Sequence, residues 1–175
     1  MPTSLYPKLI DYNLFRLPVQ ATLVLVISLT LFPFTVYVAA MSCDSTDRCI
    51  GTDDNDKIEG DGDTNIIIGG HGNDVILSSK GDDGVGGGDG NDEINGGSGI
   101  DLMYGDDGND KMNGLEGSDL MLGGDGNDEM NGGDGNDDME GGYGGDAFNC
   151  GAGNDKINDF FAKEGDTKSN DCEDF

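Results

Sequence analysis

A nine-residue repeat occupies most of this chain and limits what it can fold into. Counted from Gly51, the register continues without insertion or deletion to Asn158, which makes twelve units. Positions one and four are each glycine in ten units, position six is Asp in every unit but one, and position eight is always apolar. No helix has a period of nine residues. A repeat of this length indicates a solenoid, in which each unit stacks on its neighbours.

The residue types in each unit suit a turn followed by a short strand. Glycines at positions one, two and four can adopt positive φ angles without steric cost, so they predict the turn. A three-residue strand then points position eight inward and positions seven and nine outward. Unit n stacks on unit n + 2 about 4.8 Å away, so twelve units predict six coils roughly 29 Å long. The inward row is Ile58, Ile67, Ile76, Val85, Ile94, Met103, Met112, Met121, Met130, Met139, Phe148 and Ile157.

Position six predicts cation binding. Stacking aligns these residues in two columns, and carboxylates about 4.8 Å apart repel by about 3.5 kcal/mol per pair at an effective dielectric of 20. Five pairs in a column would outweigh a typical domain stability of about 5–15 kcal/mol, so cations must lie between the turns. Aspartate oxygens with glycine carbonyls suit Ca²⁺ better than Mg²⁺, and five gaps per column hold at most about ten ions. The predicted ligands are Asp56, Asp74, Asp83, Asp92, Asp101, Asp110, Asp119, Asp128, Asp137, Asp146 and Asp155, with Asn65 in the remaining place.

The composition also favours cations as partners. The chain has 36 acidic and 9 basic side chains, a net charge of −27, which excludes nucleic acid and anionic membranes as partners because both would be repelled. Only 20 of the 135 residues after residue 40 are Leu, Ile, Val or Phe, a fraction typical of disordered chains. A disordered acidic spacer is the alternative. Such a spacer, however, has no reason to keep position eight apolar throughout.

The repeat resembles a known family. The unit from Gly87 to Asn95 reads GGDGNDEIN and is similar to the GGxGxDxUx nonapeptide of the RTX (haemolysin-type) calcium-binding repeats. The resemblance covers 108 of 175 residues and is weaker in the first two units, where Thr52 and Asp54 occupy glycine positions. It implies an all-β fold, a parallel β-roll (β-helix) solenoid of about twelve nonapeptide units with capped ends, which binds several calcium ions.

Residues 1–40 predict export. Lys8 and Arg16 precede an uncharged apolar stretch, residues 17–40, which ends in small side chains typical of a signal cleavage point. Met41 is therefore the predicted first mature residue. The stretch is also long enough to span a bilayer, so an uncleaved anchor is the alternative. The first interpretation predicts an extracellular, secreted protein, and the second a protein anchored at the cell surface by residues 17–40.

The four cysteines predict two disulfide bonds. An even number of cysteines in an exported chain favours pairing, and the local pairs are Cys43 with Cys49 and Cys150 with Cys172. A zinc site is disfavoured because the chain has no CxxC spacing and its one histidine is distant from every cysteine.

The repeat sets the predicted domain boundaries. Residues 51–158 form the roll, and residues 41–50 and 159–175 form the N-terminal and C-terminal caps. Caps are needed because an open solenoid end exposes apolar core and unpaired strand edges. Phe160 and Phe161 are expected to lie over the C-terminal end near Phe148.

The sequence predicts a protein that is not an enzyme. His71 occupies a variable turn position, and Ser98 and Ser118 have no histidine at a neighbouring coil to activate them. We therefore expect a calcium-dependent structural or adhesive module. One alternative is an accessory domain of a secreted hydrolase or protease system, for which the chain leaves no residues to form a catalytic domain. An ice-binding solenoid is disfavoured because it needs flat threonine rows.

The outward positions differ between odd and even units. Odd units carry Glu93, Lys111 and Glu129 at position seven and asparagines at position nine, which suits water. Even units carry a contiguous apolar strip, interrupted by two glycines, that predicts self-association or binding of a surface partner unless the terminal segments cover it. Its side chains are Ile66, Ile68, Leu102, Tyr104, Leu120 and Leu122.

Overall fold

The protein is an all-β parallel β-roll, as predicted. The computed structural model describes residues 41–43, 48–162 and 164–172, so the predicted signal segment, residues 1–40, lies outside the described residues. The described chain forms fifteen strands: β1 (Met41–Ser42), β2 (Arg48–Ile50), β3 (Lys57–Glu59), β4 (Ile66–His71), β5 (Val75–Leu77), β6 (Gly84–Asp89), β7 (Glu93–Ser98), β8 (Leu102–Asp107), β9 (Lys111–Glu116), β10 (Leu120–Asp125), β11 (Glu129–Asp134), β12 (Asp138–Tyr143), β13 (Ala147–Ala152), β14 (Lys156–Ile157) and β15 (Thr167–Lys168).

The strands are sorted into two sheets by parity. The eight odd-numbered strands form one parallel sheet and the seven even-numbered strands form the other, each in sequence order. Glu93 lies opposite Lys111 in one sheet and Leu102 opposite Leu120 in the other, a register of 18 residues. Unit n therefore stacks on unit n + 2, as predicted. No helix in the described part of the chain has the length and apolar character needed to cross a membrane.

The strands are longer than the three residues that the repeat predicts. From β6 to β13 each strand has six residues, covering positions seven to nine of one unit and one to three of the next. Glycines at positions two and four adopt positive φ, as at Gly88 (108°) and Gly90 (140°), but those at position one do not. The prediction that position one supplies a turn glycine is therefore wrong, because this residue lies in extended strand.

The core is a thin double row of position-eight side chains. From Ile58 to Met139 these side chains are almost completely buried, and Phe148 is 3% exposed. All four cysteines are buried beside the rows, in the predicted disulfides Cys43–Cys49 and Cys150–Cys172. A single unit cannot bury its own position-eight side chain, so the core forms only when the units stack.

Both ends of the roll add strands beyond the repeat. β1 pairs with β3, β2 pairs with β4, and β15 pairs with β13, so the structure has about seven coils rather than the predicted six. At the C-terminal end the ring of Phe160 contacts Phe148 edge to face, with centroids 6.4 Å apart, while Phe161 is 53% exposed. The end segments extend the sheets because backbone pairing satisfies the edge N–H and C=O groups.

Candidate cation-binding turns

The structure brings the predicted aspartates into two buried columns. Each of the eleven is at most 9% exposed, although every one follows a turn at the edge of the roll. Odd units contribute Asp56, Asp74, Asp92, Asp110, Asp128 and Asp146; even units contribute Asp83, Asp101, Asp119, Asp137 and Asp155, after Asn65. The nine-residue register places them there because each sits one residue before an outward strand position.

One carboxylate oxygen of each aspartate is held by the backbone. The N–H of Asp92 donates to Oδ1 of Asp110 at 2.8 Å, and the N–H of Asp101 donates to Oδ1 of Asp119 at 2.9 Å. The same bond recurs across 18 residues at several further places along the two columns. Position six therefore links consecutive coils through Oδ1 and leaves Oδ2 for another partner.

The second carboxylate oxygen has no hydrogen-bond partner among the described residues in nine of these aspartates. A buried acceptor without a partner is costly, so native structures rarely leave one unless an ion, a water molecule or a function accounts for it. The nine carboxylates belong to Asp74, Asp83, Asp92, Asp101, Asp110, Asp119, Asp128, Asp137 and Asp146.

At position one, glycine lets an Oδ2 and a carbonyl oxygen of the next coil approach the backbone closely. A Cβ built on Gly105 would overlap Oδ2 of Asp110 and the carbonyl oxygen of Gly123 in the next coil. We call such a site a cradle: it is bounded by a position-one glycine, an Oδ2 of its own unit that has no hydrogen-bond partner, and the position-one carbonyl oxygen two units on. Seven units form a cradle, at Gly69, Gly87, Gly96, Gly105, Gly114, Gly123 and Gly132.

Ser78 shows what happens when position one is not glycine. Its hydroxyl donates to the carbonyl oxygens of Gly96 and Asn95, the latter at 3.1 Å. In this unit a side chain therefore lies beside Asp83, where the seven cradles have only glycine. This unit differs from the seven cradles although its aspartate matches the repeat.

Burial changes the acidity of these aspartates. The pKa of Asp92, Asp110 and Asp128 is raised from 3.8 to about 6, chiefly by desolvation, with a backbone N–H opposing the shift and neighbouring carboxylates adding to it. The pKa values of Asp83, Asp101 and Asp119 rise to about 6 for the same leading reason. The sequence argument made carboxylate repulsion the chief cost of stacking. In the structure, loss of hydration is the larger cost.

The columns end on residues that satisfy their own oxygens. At the N-terminal end, Oδ2 of Asp56 accepts from the N–H of Thr52 at 2.6 Å and from its hydroxyl at 2.9 Å. At the C-terminal end, Asp166 is 7% exposed, accepts from the N–H of Asp146 at 3.0 Å through Oδ1 and from the N–H of Phe161 at 2.6 Å through Oδ2.

Asp166 extends the odd column, and the sequence analysis missed it. It follows Asp146 by 20 residues instead of 18, and a polar residue, Lys168, stands where the repeat has an apolar one. Only the pairing of β15 with β13 shows that the column continues, because the two-residue insertion hides it from a strict count of nine.

The oxygen atoms of a cradle fit a hard divalent cation. Carboxylate and carbonyl oxygens are the ligands of Ca²⁺, which accepts flexible coordination. Among the described residues no group of three or more His, Cys, Asp or Glu side chains could hold a metal ion. Any cation here depends on backbone carbonyls for much of its coordination, which a repeat of glycine turns supplies.

The three side chains considered for catalysis lie apart. Nδ1 of His71 on β4 is 2.8 Å from Oδ2 of Asp89, and both side chains are more than half exposed. Ser98 ends β7 in the other sheet, and the hydroxyl of Ser118 accepts from the N–H of Asn136 at 3.1 Å. The structure does not bring these side chains together in one site.

Comparison with known families agrees with this geometry. The family described as RTX calcium-binding nonapeptide repeat (4 copies) matches residues 50–85, 86–121 and 122–157. Each segment spans 36 residues, which is four nonapeptides, so the three segments account for all twelve units of the repeat. No curated protein matches the chain.

Proposed function

Because this chain belongs to the RTX calcium-binding nonapeptide repeat family, we propose that it is a secreted β-roll that folds when Ca²⁺ binds in its turns. The binding sites are the seven cradles, each formed by one aspartate Oδ2 and one carbonyl oxygen from adjacent coils. The role that follows is a structural or adhesive one outside the cell, with rigidity supplied by the calcium of that environment.

The unpartnered Oδ2 atoms carry this proposal. In each of the seven cradles, an unpartnered Oδ2 and a carbonyl oxygen of the next coil border the same glycine, and the Oδ2 has no donor among the described residues. A divalent cation resolves the conflict and also offsets charge: seven ions supply +14 against a net −27. Because the sites exist only between stacked coils, binding free energy is also folding free energy.

Two features support an extracellular location. Both disulfides are formed in the structure, and disulfides persist in oxidising compartments. Calcium modules outside cells bind in the range of about 10⁻⁴–10⁻³ M, which suits sites that depend on backbone oxygen for much of their coordination. The export signal proposed for residues 1–40 is consistent with both features.

A calcium titration tests the proposal. We expect far-UV circular dichroism to show little β structure in excess chelator at neutral pH and a cooperative gain of β signal as calcium is added. Metal analysis of the dialysed, calcium-loaded protein should approach seven ions per chain. The same β content in chelator and in calcium would contradict the proposal.

Asp110→Asn makes the test specific to the site. The amide oxygen can still accept from the N–H of Asp92, as Oδ1 does at 2.8 Å, but the second carboxylate oxygen is lost. We expect the calcium midpoint to rise. Glu93→Gln is the matched control, because it removes one negative charge from an exposed position on β7 and should leave the midpoint nearly unchanged.

A further inference from the structure

The outward face of the seven-stranded sheet carries two rows of side chains that are apolar in the middle, with Arg48 on β2 at one end and Asp138 and Glu140 on β12 towards the other. Beyond β12 the sheet ends at β14, where Lys156 lies next to Asp138 in register. We call this surface, on β2 to β12, the association face. Its position-seven row, in register order, is Arg48, Ile66, Gly84, Leu102, Leu120 and Asp138. Its position-nine row is Ile50, Ile68, Gly86, Tyr104, Leu122 and Glu140.

The apolar part of the association face is open in the described structure. Ile66 is 51% exposed, Leu102 is 36% exposed, and Tyr104 and Leu120 are each 39% exposed. No segment among the described residues covers them. Contiguous apolar surface of this kind on a folded protein marks a binding site, because water-exposed apolar area is unfavourable.

A notch crosses the middle of the face at β6. Gly84 and Gly86 have no side chains, and their neighbours on β4 and β8 stand about two strand spacings apart, roughly 9.6 Å. A Cβ on Gly84 would approach only the Asn65 carbonyl oxygen, at 4.0 Å, and one on Gly86 only Oδ2 of Asp106, at 3.8 Å. The notch is therefore wide enough to receive a side chain from outside.

A second copy of the chain fits this face if its roll axis is reversed. Consider a two-fold axis in the interface, parallel to the strands and midway between β6 and β8. It places β6 of each copy opposite β8 of the other, so Leu102 and Tyr104 enter the notch of the other copy. It places the isoleucines of β4 opposite the leucines of β10, and Arg48 of β2 opposite Asp138 of β12.

The other two-fold arrangement of the same surfaces is poor. An axis along the roll would place β6 opposite β6 and leave two empty notches facing each other. It would also place β12 opposite β12, so Asp138 of one copy would meet Glu140 of the other. Like charges in an interface are unfavourable, and an empty notch loses packing contacts, so only the first arrangement is complementary.

We propose that the calcium-folded roll forms an isologous dimer through the association face, with Leu102 and Tyr104 of each copy in the Gly84–Gly86 notch of the other. An isologous interface requires every contact to occur twice, and the face meets this condition in both shape and charge. The hydroxyl of Tyr104 enters beside Asp106, whose carboxylate can accept its hydrogen bond. This inference rests on the proposed function, since the face exists only in the folded roll.

A substitution that fills the notch distinguishes the proposed dimer from non-specific hydrophobic association. Gly84→Leu adds an apolar side chain to the exposed face of the monomer. If association were non-specific and hydrophobic, this variant would associate more strongly than the wild type. In the proposed dimer the new side chain occupies the place of Leu102 from the other copy, and we expect the dissociation constant to rise about tenfold or more. Glu93→Leu adds the same side chain to the opposite sheet and serves as the matched control.

Exchanging the charges at the two ends is an independent test. Arg48→Glu and Asp138→Arg should each weaken the dimer, and the double variant should restore it, because the proposed axis places these two positions opposite each other. Sedimentation velocity across a concentration series, in calcium, measures all variants on the full chain. Circular dichroism of the same samples reports calcium-induced folding separately.

The outcomes are distinct. A wild-type chain that folds with calcium but sediments as a monomer at every concentration overturns the dimer and leaves the proposed function intact. Coverage of the face by the chain's own residues 1–40 would give that monomer result. Tighter association of Gly84→Leu, or no rescue in the charge exchange, overturns the notch geometry. Absence of calcium-induced folding in the wild type would instead contradict the proposed function.

Discussion

At the scale of single residues, glycine and aspartate in this repeat act as a pair. Gly105 is not in the left-handed region, so its requirement is one of space: any Cβ there would overlap Oδ2 of Asp110. Asp110 in turn uses Oδ1 for the backbone of Asp92 and leaves Oδ2 beside that space. Under the proposed function, position one sets whether a unit can hold a cation, and position six supplies the charge.

Gly105→Ala tests this division of roles. The methyl group should close one cradle and destabilise the calcium-loaded roll by about 1–3 kcal/mol through overpacking. Chemical denaturation at fixed calcium measures the loss. Gly62→Ala is the control, because a Cβ there would meet nothing within 4 Å, and we expect a change of no more than about 0.5 kcal/mol. Equal effects of the two substitutions would show that the cradle is not a specific space.

At the scale of elements, the turns of odd units carry a second ladder that needs no cation. The side-chain oxygen of Asn73 accepts from the N–H of Asn91 at 2.8 Å, and that of Asn91 accepts from the N–H of Asn109 at 2.7 Å. In even units Ile100 interrupts the equivalent position, because it has no acceptor. The odd turns are thus joined by side chains through both position five and position six.

The last coil is a separate element held by a disulfide. Cys150 at position one of the twelfth unit is bonded to Cys172, and the enclosed segment carries β15 and Asp166. Phe160, in the same segment, contacts Phe148 of the core. This segment covers the open end of the core and completes the odd column.

Loss of this disulfide should loosen the C-terminal coil alone. In the double variant Cys150→Ser with Cys172→Ser, position one of the twelfth unit carries a serine, as Ser78 does in its own unit. The variant loses a cross-link between residues 22 apart, and a cross-link that closes such a loop stabilises the fold by about 3 kcal/mol. Each coil contacts only its neighbours, so we expect faster hydrogen exchange in β13 and β15 and little change in β7. Removing Cys43 and Cys49 together should instead affect the first coil. Uniform acceleration along the roll would contradict this view.

At the scale of the whole molecule, the thin apolar core stabilises the folded state and the large negative charge destabilises it. The core contains one inward side chain per unit, and the net charge is −27. Burial raises the pKa of six position-six aspartates to about 6, so the folded chain without cations binds more protons than the unfolded chain. Under the proposed function, protons and calcium therefore compete for the same oxygens.

This competition predicts the pH dependence. A group whose pKa is raised by folding stabilises the fold below its unfolded value of 3.8 and loses that contribution as the pH rises through about 6. In chelator we expect β structure to increase from about pH 7 to about pH 5, while the calcium midpoint at about pH 5 should be higher than at about pH 7. Circular dichroism with and without calcium checks both. A chelated chain that loses β structure on acidification would refute the assignment.

The sequence by itself determined the parts of this protein that repeat. A strict period of nine sets the stacking of unit n on unit n + 2, the inward row from Ile58 to Phe148 and the alignment of the aspartates, because identical units placed in register must repeat every contact. The apolar strip on even units follows from the same count. The disulfide pairs followed from cysteine number and distance along the chain.

Only the tertiary structure decided the features that depend on two coils at once. The space beside Gly105 is bounded by a carbonyl oxygen of the next coil, so no single unit shows that position one must lack a Cβ. Asp166 joins the odd column through an insertion that β-pairing absorbs and residue counting does not. The glycine notch becomes a surface feature only when Ile66 and Leu102 are placed on either side of it. Contacts between coils depend on which residues lie close in space. A repeat along the chain predicts those residues only where it has no insertion or deletion.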